Sequence, residues 1–223
     1  MNEQLLPCVE INPTTTPTAC VIWLHGLGDS GHGFAPIVPE LKLPGSLAVK
    51  FIFPHAPERP ITVNGGMRMR AWYDIKSMDF DSRADLAGVQ ESAEQVEQLI
   101  QAQIDNGIPA NRIVLAGFSQ GGVIALHIAP RIKHKFAGVL ALSTYMCEPT
   151  LLVNDAQSTN KTTPIMMAHG EQDEVVPVFM GNAAYEVLKG NGFDVTWQTY
   201  MMQHNVCMEE LNDISAWLQK VLK

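Results

Sequence analysis

Gly117-Phe118-Ser119-Gln120-Gly121 has the form G-x-S-x-G. This pattern carries chemistry where a strand turns abruptly into a helix. Small residues on either side then permit a strained turn that pushes the serine hydroxyl into the open. Residues 112–117 read as a strand and 120–129 as a helix, so the required context is present. In a chain with 17 glycines the five residues alone would be a weak signal, and a plain glycine-rich turn is the bland alternative. A serine hydroxyl is also a poor nucleophile at neutral pH. It needs a base within hydrogen-bond reach, and the base needs an acid to orient it.

When this motif works on a strand–helix framework, the chain order is serine, acid, histidine. His25, His32 and His55 precede Ser119, His127 lies in the helix after it, and His134 lies in the polar turn that follows. His169 ends a strand before any later acid. Only His204 sits in a loop after a later strand, so elimination favours it as the base over an idle loop histidine. The acid belongs in the loop after an earlier strand, and Gly170-Glu171-Gln172-Asp173-Glu174 offers three carboxylates. Asp173, at the crest of a turn closed by Pro177, is favoured. Glu174 is the fallback and Asp155 a weaker one, since solvated carboxylates are ordinary in such loops.

Acyl transfer also needs donors for a developing oxyanion. One is the backbone N–H after the nucleophile, here Gln120. The other is expected from the early glycine-rich loop His25-Gly26-Leu27-Gly28-Asp29-Ser30-Gly31, with the Leu27 amide as candidate. Read instead as metal ligands, His25, Asp29 and His32 lack a cluster to complete the set. No metal is expected there.

These residues need a frame that alternates strands and helices. Short apolar runs at 19–24, 47–53, 113–118, 137–142 and 165–168 suit strands buried on both faces, and 193–201 alternates like a strand nearer the sheet edge. Helix patterns cover 85–105, 123–129, 178–188 and 206–222. In the first, Leu86, Val89, Ala93, Val96, Leu99, Ile100 and Ile104 form one stripe, stopped by Gly107 and Pro109. The alternation predicts an α/β fold, a mostly parallel central sheet with helices on both faces, in one domain spanning 1–223. Residues 54–82 break the rhythm. Asn64-Gly65-Gly66 is a hairpin turn signal flanked by Ile61, Val63, Met67 and Met69, so the segment reads as an excursion over the top of the sheet.

Composition narrows the function classes. With 46% hydrophobic and 17% charged residues the chain of 223 can bury a sheet. A net charge of −8 without a basic run argues against nucleic acid. Cys8, Cys20, Cys147 and Cys207 lack metal spacing and read as reduced thiols. The opening Met1-Asn2-Glu3-Gln4 lacks a secretory pattern and no run approaches the roughly 20 apolar residues of a membrane span, so a soluble, cytoplasmic protein is expected.

Taken together, the motifs resemble the acyl-protein thioesterase/carboxylesterase family of small α/β-hydrolases, also labelled phospholipase/carboxylesterase. The matching stretches are HGLGDSG at 25–31, FPHAP at 53–57, AWYD at 71–74, GFSQGG at 117–122 and HGEQDEVVP at 169–177, then His204 before a helix bearing Glu209 and Glu210. They run in order from residue 25 to the end of the chain. The resemblance implies the α/β-hydrolase fold, a triad of Ser119, Asp173 and His204, and oxyanion donors Leu27 and Gln120. It also implies hydrolysis of carboxylic esters and acyl thioesters, acylated proteins included, without a cofactor. The excursion resembles the family's apolar flap over an acyl groove, which can touch a membrane surface or a second subunit of a homodimer. A silent binding protein of the same fold, or a small serine peptidase, are the alternatives. One departure stands out: the family usually has glycine before and serine after the histidine, whereas this chain has Gln203-His204-Asn205.

Overall fold

A computed structural model describes residues 5–77, 84–151 and 156–223. Its centre is a seven-stranded sheet in the order β1-β3-β2-β6-β7-β8-β9. The strands are β1 (Cys8–Ile11), β2 (Ala19–Leu24), β3 (Val49–Pro54), β6 (Ile113–Phe118), β7 (Gly138–Leu142), β8 (Ile165–Gly170) and β9 (Val195–Tyr200). From β3 to β9 every pairing is parallel, and β1 closes one edge antiparallel to β3. The expected sheet is therefore present, with an edge strand that the sequence reading passed over.

Strand limits differ from expectation for local reasons. Leu47 ends a short 3₁₀ turn, and Ala48 takes a left-handed conformation (φ 44°), so β3 starts at Val49. Phe193 is not in a strand because its N–H bonds to Leu188 O and closes the preceding helix, with Gly192 left-handed between them.

Helices cover both faces. On one, α2 (Leu86–Asp105), α3 (Gln120–Ile128) and α4 (Val178–Gly190) share a core with Ile22, Leu115, Val139 and Met167. Val89, Ala93, Val96, Leu99 and Ile100 of α2 are buried, as the stripe predicts, and each of the larger ones stabilises the fold by roughly 1.5–3 kcal/mol. On the other face, the short α1 (Gly31–Phe34) with its 3₁₀ continuation and α5 (Met208–Val221) cover Trp23, Phe53, Leu140 and Met166.

The excursion contains a separate two-stranded sheet, β4 (Glu58–Ile61) with β5 (Met67–Arg70), paired antiparallel with Ile61 opposite Met67. Gly65 and Gly66 are both left-handed (φ 65° and 80°), as the turn signal requires. Val63 falls in the 3₁₀ turn and not in a strand, so of the four flanking apolar residues only Ile61, Met67 and Met69 lie in strands. The last part of the excursion, 78–82, lies outside the described residues. Asp74 anchors the hairpin by accepting from the Thr62 N–H and hydroxyl (2.8 and 2.6 Å).

Candidate active site

Ser119 sits between β6 and α3 with φ 53° and ψ −119°, a conformation that costs a non-glycine residue about 1–3 kcal/mol. Neighbouring bonds hold it there. Its N–H donates to Leu142 O (2.9 Å), and its carbonyl accepts from the Thr144 hydroxyl (2.7 Å) and the Gly122 N–H (3.0 Å). The motif's glycines are steric necessities. A Cβ on Gly121 would lie 2.3 Å from Leu24 O, and one on Gly117 would lie 2.2 Å from Gly121 O.

His204 lies in the loop between β9 and α5. Its Nδ1–H donates to Asp173 Oδ2 at 2.6 Å, and its ring packs on Phe118, next to Ser119, with centroids 4.7 Å apart. With the proton on Nδ1, the Nε2 lone pair is free to act as base. The Asn205 N–H bonds back to Gln203 O (2.9 Å), making a tight turn centred on the histidine. None of residues 203–205 adopts a left-handed φ, so the departure from the family's glycine puts no strain on the loop.

Of the three carboxylates after β8, Asp173 is the one bonded to His204. Glu171 accepts from the Thr199 hydroxyl instead (2.8 Å), and Glu174 is exposed. Asp155 lies outside the described residues. Asp173 Oδ1 accepts from the Val175 and Val176 amides (2.9 and 2.8 Å). Burial disfavours its charge, but hydrogen bonds from His169, His204 and the Val176 amide outweigh burial and hold the carboxyl far below the usual range.

The glycine-rich loop after β2 comes directly against the elbow. A Cβ on Gly26 would touch the Phe118 ring (3.2 Å) and Ser119 Cβ (3.4 Å). Among the described residues the N–H groups of Leu27 and Gln120 make no hydrogen bond, which leaves both available to an oxyanion. Gly28 N–H donates to Arg70 O (2.8 Å), so β5 braces this loop. His25 is engaged at both ring nitrogens: Nδ1–H donates to Gly26 O (2.7 Å) and Nε2 accepts from the Ala56 N–H (3.0 Å). Burial lowers its pKa, in keeping with that neutral form. Among the described residues no group of three or more His, Cys, Asp or Glu side chains is placed to hold a metal ion.

Sequence reasoning missed the residues that tie these parts together. The Gln120 side chain accepts from the Trp72 N–H (3.1 Å) and donates to Tyr73 O (3.0 Å), while the Trp72 indole N–H donates to His25 O (2.8 Å). Trp72 is wholly buried, and through its indole and its backbone this one residue links the excursion, the glycine-rich loop and the elbow. The AWYD stretch was the available signal, but nothing in it says which backbone it reaches.

Tyr145, one residue beyond Thr144, opens an apolar groove of about 230 Å³ whose other walls include Met146, Cys147, Phe179 and Met180. Phe179 belongs to the first turn of α4, three residues after the Val176 amide that holds Asp173.

A sheet parallel from β3 to β9, with a serine elbow after β6 and a histidine–aspartate pair beyond β8 and β9, defines an α/β-hydrolase. The chain belongs to the phospholipase/carboxylesterase family, whose profile matches residues 7–222. It is similar to acyl-protein thioesterase 1 of Gibberella zeae, with 44% identity over 214 residues, 92% of this chain and 91% of that protein. Among solved structures it resembles acyl-protein thioesterase 2 of Zea mays (TM-score 0.86, 29% identity, 97% and 99% of the two chains). SOBER1 of Arabidopsis thaliana has the same TM-score at 30% identity, over 92% of this chain and 99% of that one.

Proposed function

We propose that this hydrolase cleaves carboxylic esters and acyl thioesters, acylated proteins among them, through an acyl-enzyme on Ser119. His204 Nε2 takes the Ser119 proton as Oγ attacks the acyl carbonyl carbon. The tetrahedral oxyanion is held by the Leu27 and Gln120 amides. Collapse breaks the C–O or C–S bond, and His204 returns its proton to the departing alcohol or thiol. Water, deprotonated by His204, then attacks the acyl-serine, releases the acid and restores the hydroxyl.

The observation that carries this reading is the 2.6 Å Asp173–His204 bond, with the imidazole packed on the residue before a strained serine. A silent binding protein has no use for such strain. The groove beside Tyr145 is taken as the seat of the acyl chain, each buried methylene adding up to about 0.8 kcal/mol. The similar thioesterases, together with a net charge of −8, favour acyl thioesters of proteins over polyanionic substrates.

Labelling with a fluorophosphonate and mass mapping of the adduct is the direct test, paired with Ser119→Ala. The expected result is one adduct on Ser119 and at least a thousandfold (~10³) loss of turnover in a folded Ser119→Ala protein. Labelling elsewhere, or turnover retained by the alanine variant, overturns the assignment.

A further inference from the structure

Asp173 is approached by a second histidine. His169 is the penultimate residue of β8, only 1% exposed, and its Nε2 lies 2.7 Å from Val176 O and 3.5 Å from Asp173 Oδ2. Both neighbours are acceptors, so the proton of this imidazole sits on Nε2. Val176 in turn gives its N–H to Asp173 Oδ1 at 2.8 Å. The contacts close a ring: carboxylate to Val176 amide, Val176 carbonyl to His169, His169 back to the carboxylate.

The ring plane of His169 is fixed independently. It packs on Trp197 of β9 with centroids 5.8 Å apart, and Trp197 itself stacks on Tyr185 of α4. On the Nδ1 side lies Gly181 of α4, where a Cβ would come within 2.4 Å of Nδ1. The ring therefore needs a glycine at 181, and among the described residues its polar contacts, Val176 O and Asp173 Oδ2, both belong to the acid loop. The acidic neighbours do not compete for it, since Glu171 is bonded to Thr199 and Glu174 is exposed.

From this geometry, and resting on the triad reading above, we infer that His169 is a positioning residue. Its Nε2–H, bonded to Val176 O and 3.5 Å from Asp173 Oδ2, holds the acid loop so that the Asp173 carboxylate keeps the orientation that meets the His204 Nδ1–H. It acts through Asp173 and touches no substrate. A carboxylate held by backbone amides at Oδ1 alone would be free to rotate about that anchor. Oδ2, the atom that receives His204, needs its own restraint. Gly181 follows from the same requirement, because any side chain there would push the imidazole off its acceptors.

The test pairs two substitutions with one measurement on the unaltered protein. His169→Phe keeps a ring against Trp197 and removes the N–H. His169→Gln keeps a donor near the Nε2 position and removes the ring. The expected result is a fall in kcat of about 10- to 100-fold for His169→Phe with KM unchanged, and His169→Gln within about fivefold of wild type. The low-field proton resonance of His204 Nδ1–H should move or broaden in His169→Phe and persist in His169→Gln, which a purely structural role would not produce. Long-range ¹H–¹⁵N spectra of the unaltered enzyme should show His169 as the Nε2–H tautomer, so the proposal stays testable even if His169→Phe fails to fold. An Nδ1–H tautomer, or a folded His169→Phe protein with unchanged kcat and resonance, overturns it. Asp173→Asn run alongside separates the two readings. If that variant is fully active the triad itself fails. If it is crippled while His169→Phe is not, only the role of His169 falls.

Discussion

Asp173 gathers donors from four directions, and their number explains how a carboxyl 6% exposed stays charged. Because its folded pKa lies below the unfolded value of 3.8, it contributes stability that is complete above that value. The contribution is lost as pH falls through the folded pKa. Asp173→Asn offers Oδ1 to the Val175 and Val176 amides but presents His204 with a donor or a weaker acceptor. Turnover should drop by about 10³–10⁴, as expected when the wrong imidazole tautomer is favoured. Thermal melts should show Asp173→Asn less stable than wild type at pH 7, with the gap closing below about pH 3.8. An undiminished gap in acid would mean that packing, not charge, accounts for the loss.

The helix α5 shows how an element is tuned to hold the loop that carries His204. Cys207 is its N-cap, and the sulfur accepts from the Glu210 N–H at 3.5 Å, three residues beyond the cap. Glu210 thus occupies the acidic position of a capping box, yet it is wholly buried, and neither carboxyl oxygen has a hydrogen-bond partner among the described residues. Burial pushes its pKa up to about 8, opposed by the nearby Cys207 amide and assisted by Asp213. A carboxyl raised from 4.5 to about 8 binds its proton more tightly folded than unfolded. Stability is therefore greatest below pH 4.5 from this group and declines as pH rises toward about 8. Glu210→Gln keeps an acceptor and cannot ionise, so its melting temperature should exceed that of wild type most clearly near pH 8–9, by about 1–3 kcal/mol of stability, and the two should converge near pH 5. Parallel curves for the two proteins across this range would show that the buried carboxyl does not titrate. The sequence displayed this helix and both its glutamates. It did not display that Glu210, four residues before Ile214, faces the core, because charge at that spacing reads as solvent-facing. The parallel strands were legible for the opposite reason: burial on both faces leaves a plain apolar run. The edge strand β1 has four residues, half-buried except for Glu10, which pairs with Lys50 of β3 (3.0 Å), and is too short for any period to show. At the candidate site, chain order and turn chemistry pointed to Ser119, Asp173 and His204, and the fold bonds Asp173 to His204 and packs His204 on the residue before Ser119. Contacts between distant segments, such as Trp72 with Gln120 or Gly28 with Arg70, have no local signature.

At the scale of the whole molecule, every part of the candidate site lies at the carboxyl ends of parallel strands, where loops after β2, β6, β7, β8 and β9 meet. Large exposed apolar side chains gather there too: Val175 and Phe179 after β8, Met201 and Met208 after β9, and Met67 on the hairpin beyond β3. Period-two spacing alone would assign Met67 and Met69 a common role over an acyl chain. Their environments differ, since Met67 is 63% exposed whereas Met69 packs on the core with its sulfur over Gly28 of the oxyanion loop. The seat proposed for the acyl chain is the groove lined by Tyr145, Met146, Cys147, Phe179 and Met180. Ala183, exposed on α4, lines that groove without belonging to the buried core, so it can be enlarged with little effect on folding. Ala183→Trp should fill the space that medium and long acyl chains need. With three or four methylenes displaced at up to about 0.8 kcal/mol each, kcat/KM for an octanoyl ester should fall by about 10- to 100-fold, while an acetyl ester is turned over as before. Met67→Ser, at an exposed position away from the groove, should alter neither substrate by more than about twofold. Equal losses on both esters with Ala183→Trp would locate its effect at the reacting centre, and unchanged rates on both would show that the acyl chain lies elsewhere, with the hairpin face of Met67 and Met69 the surface to substitute next.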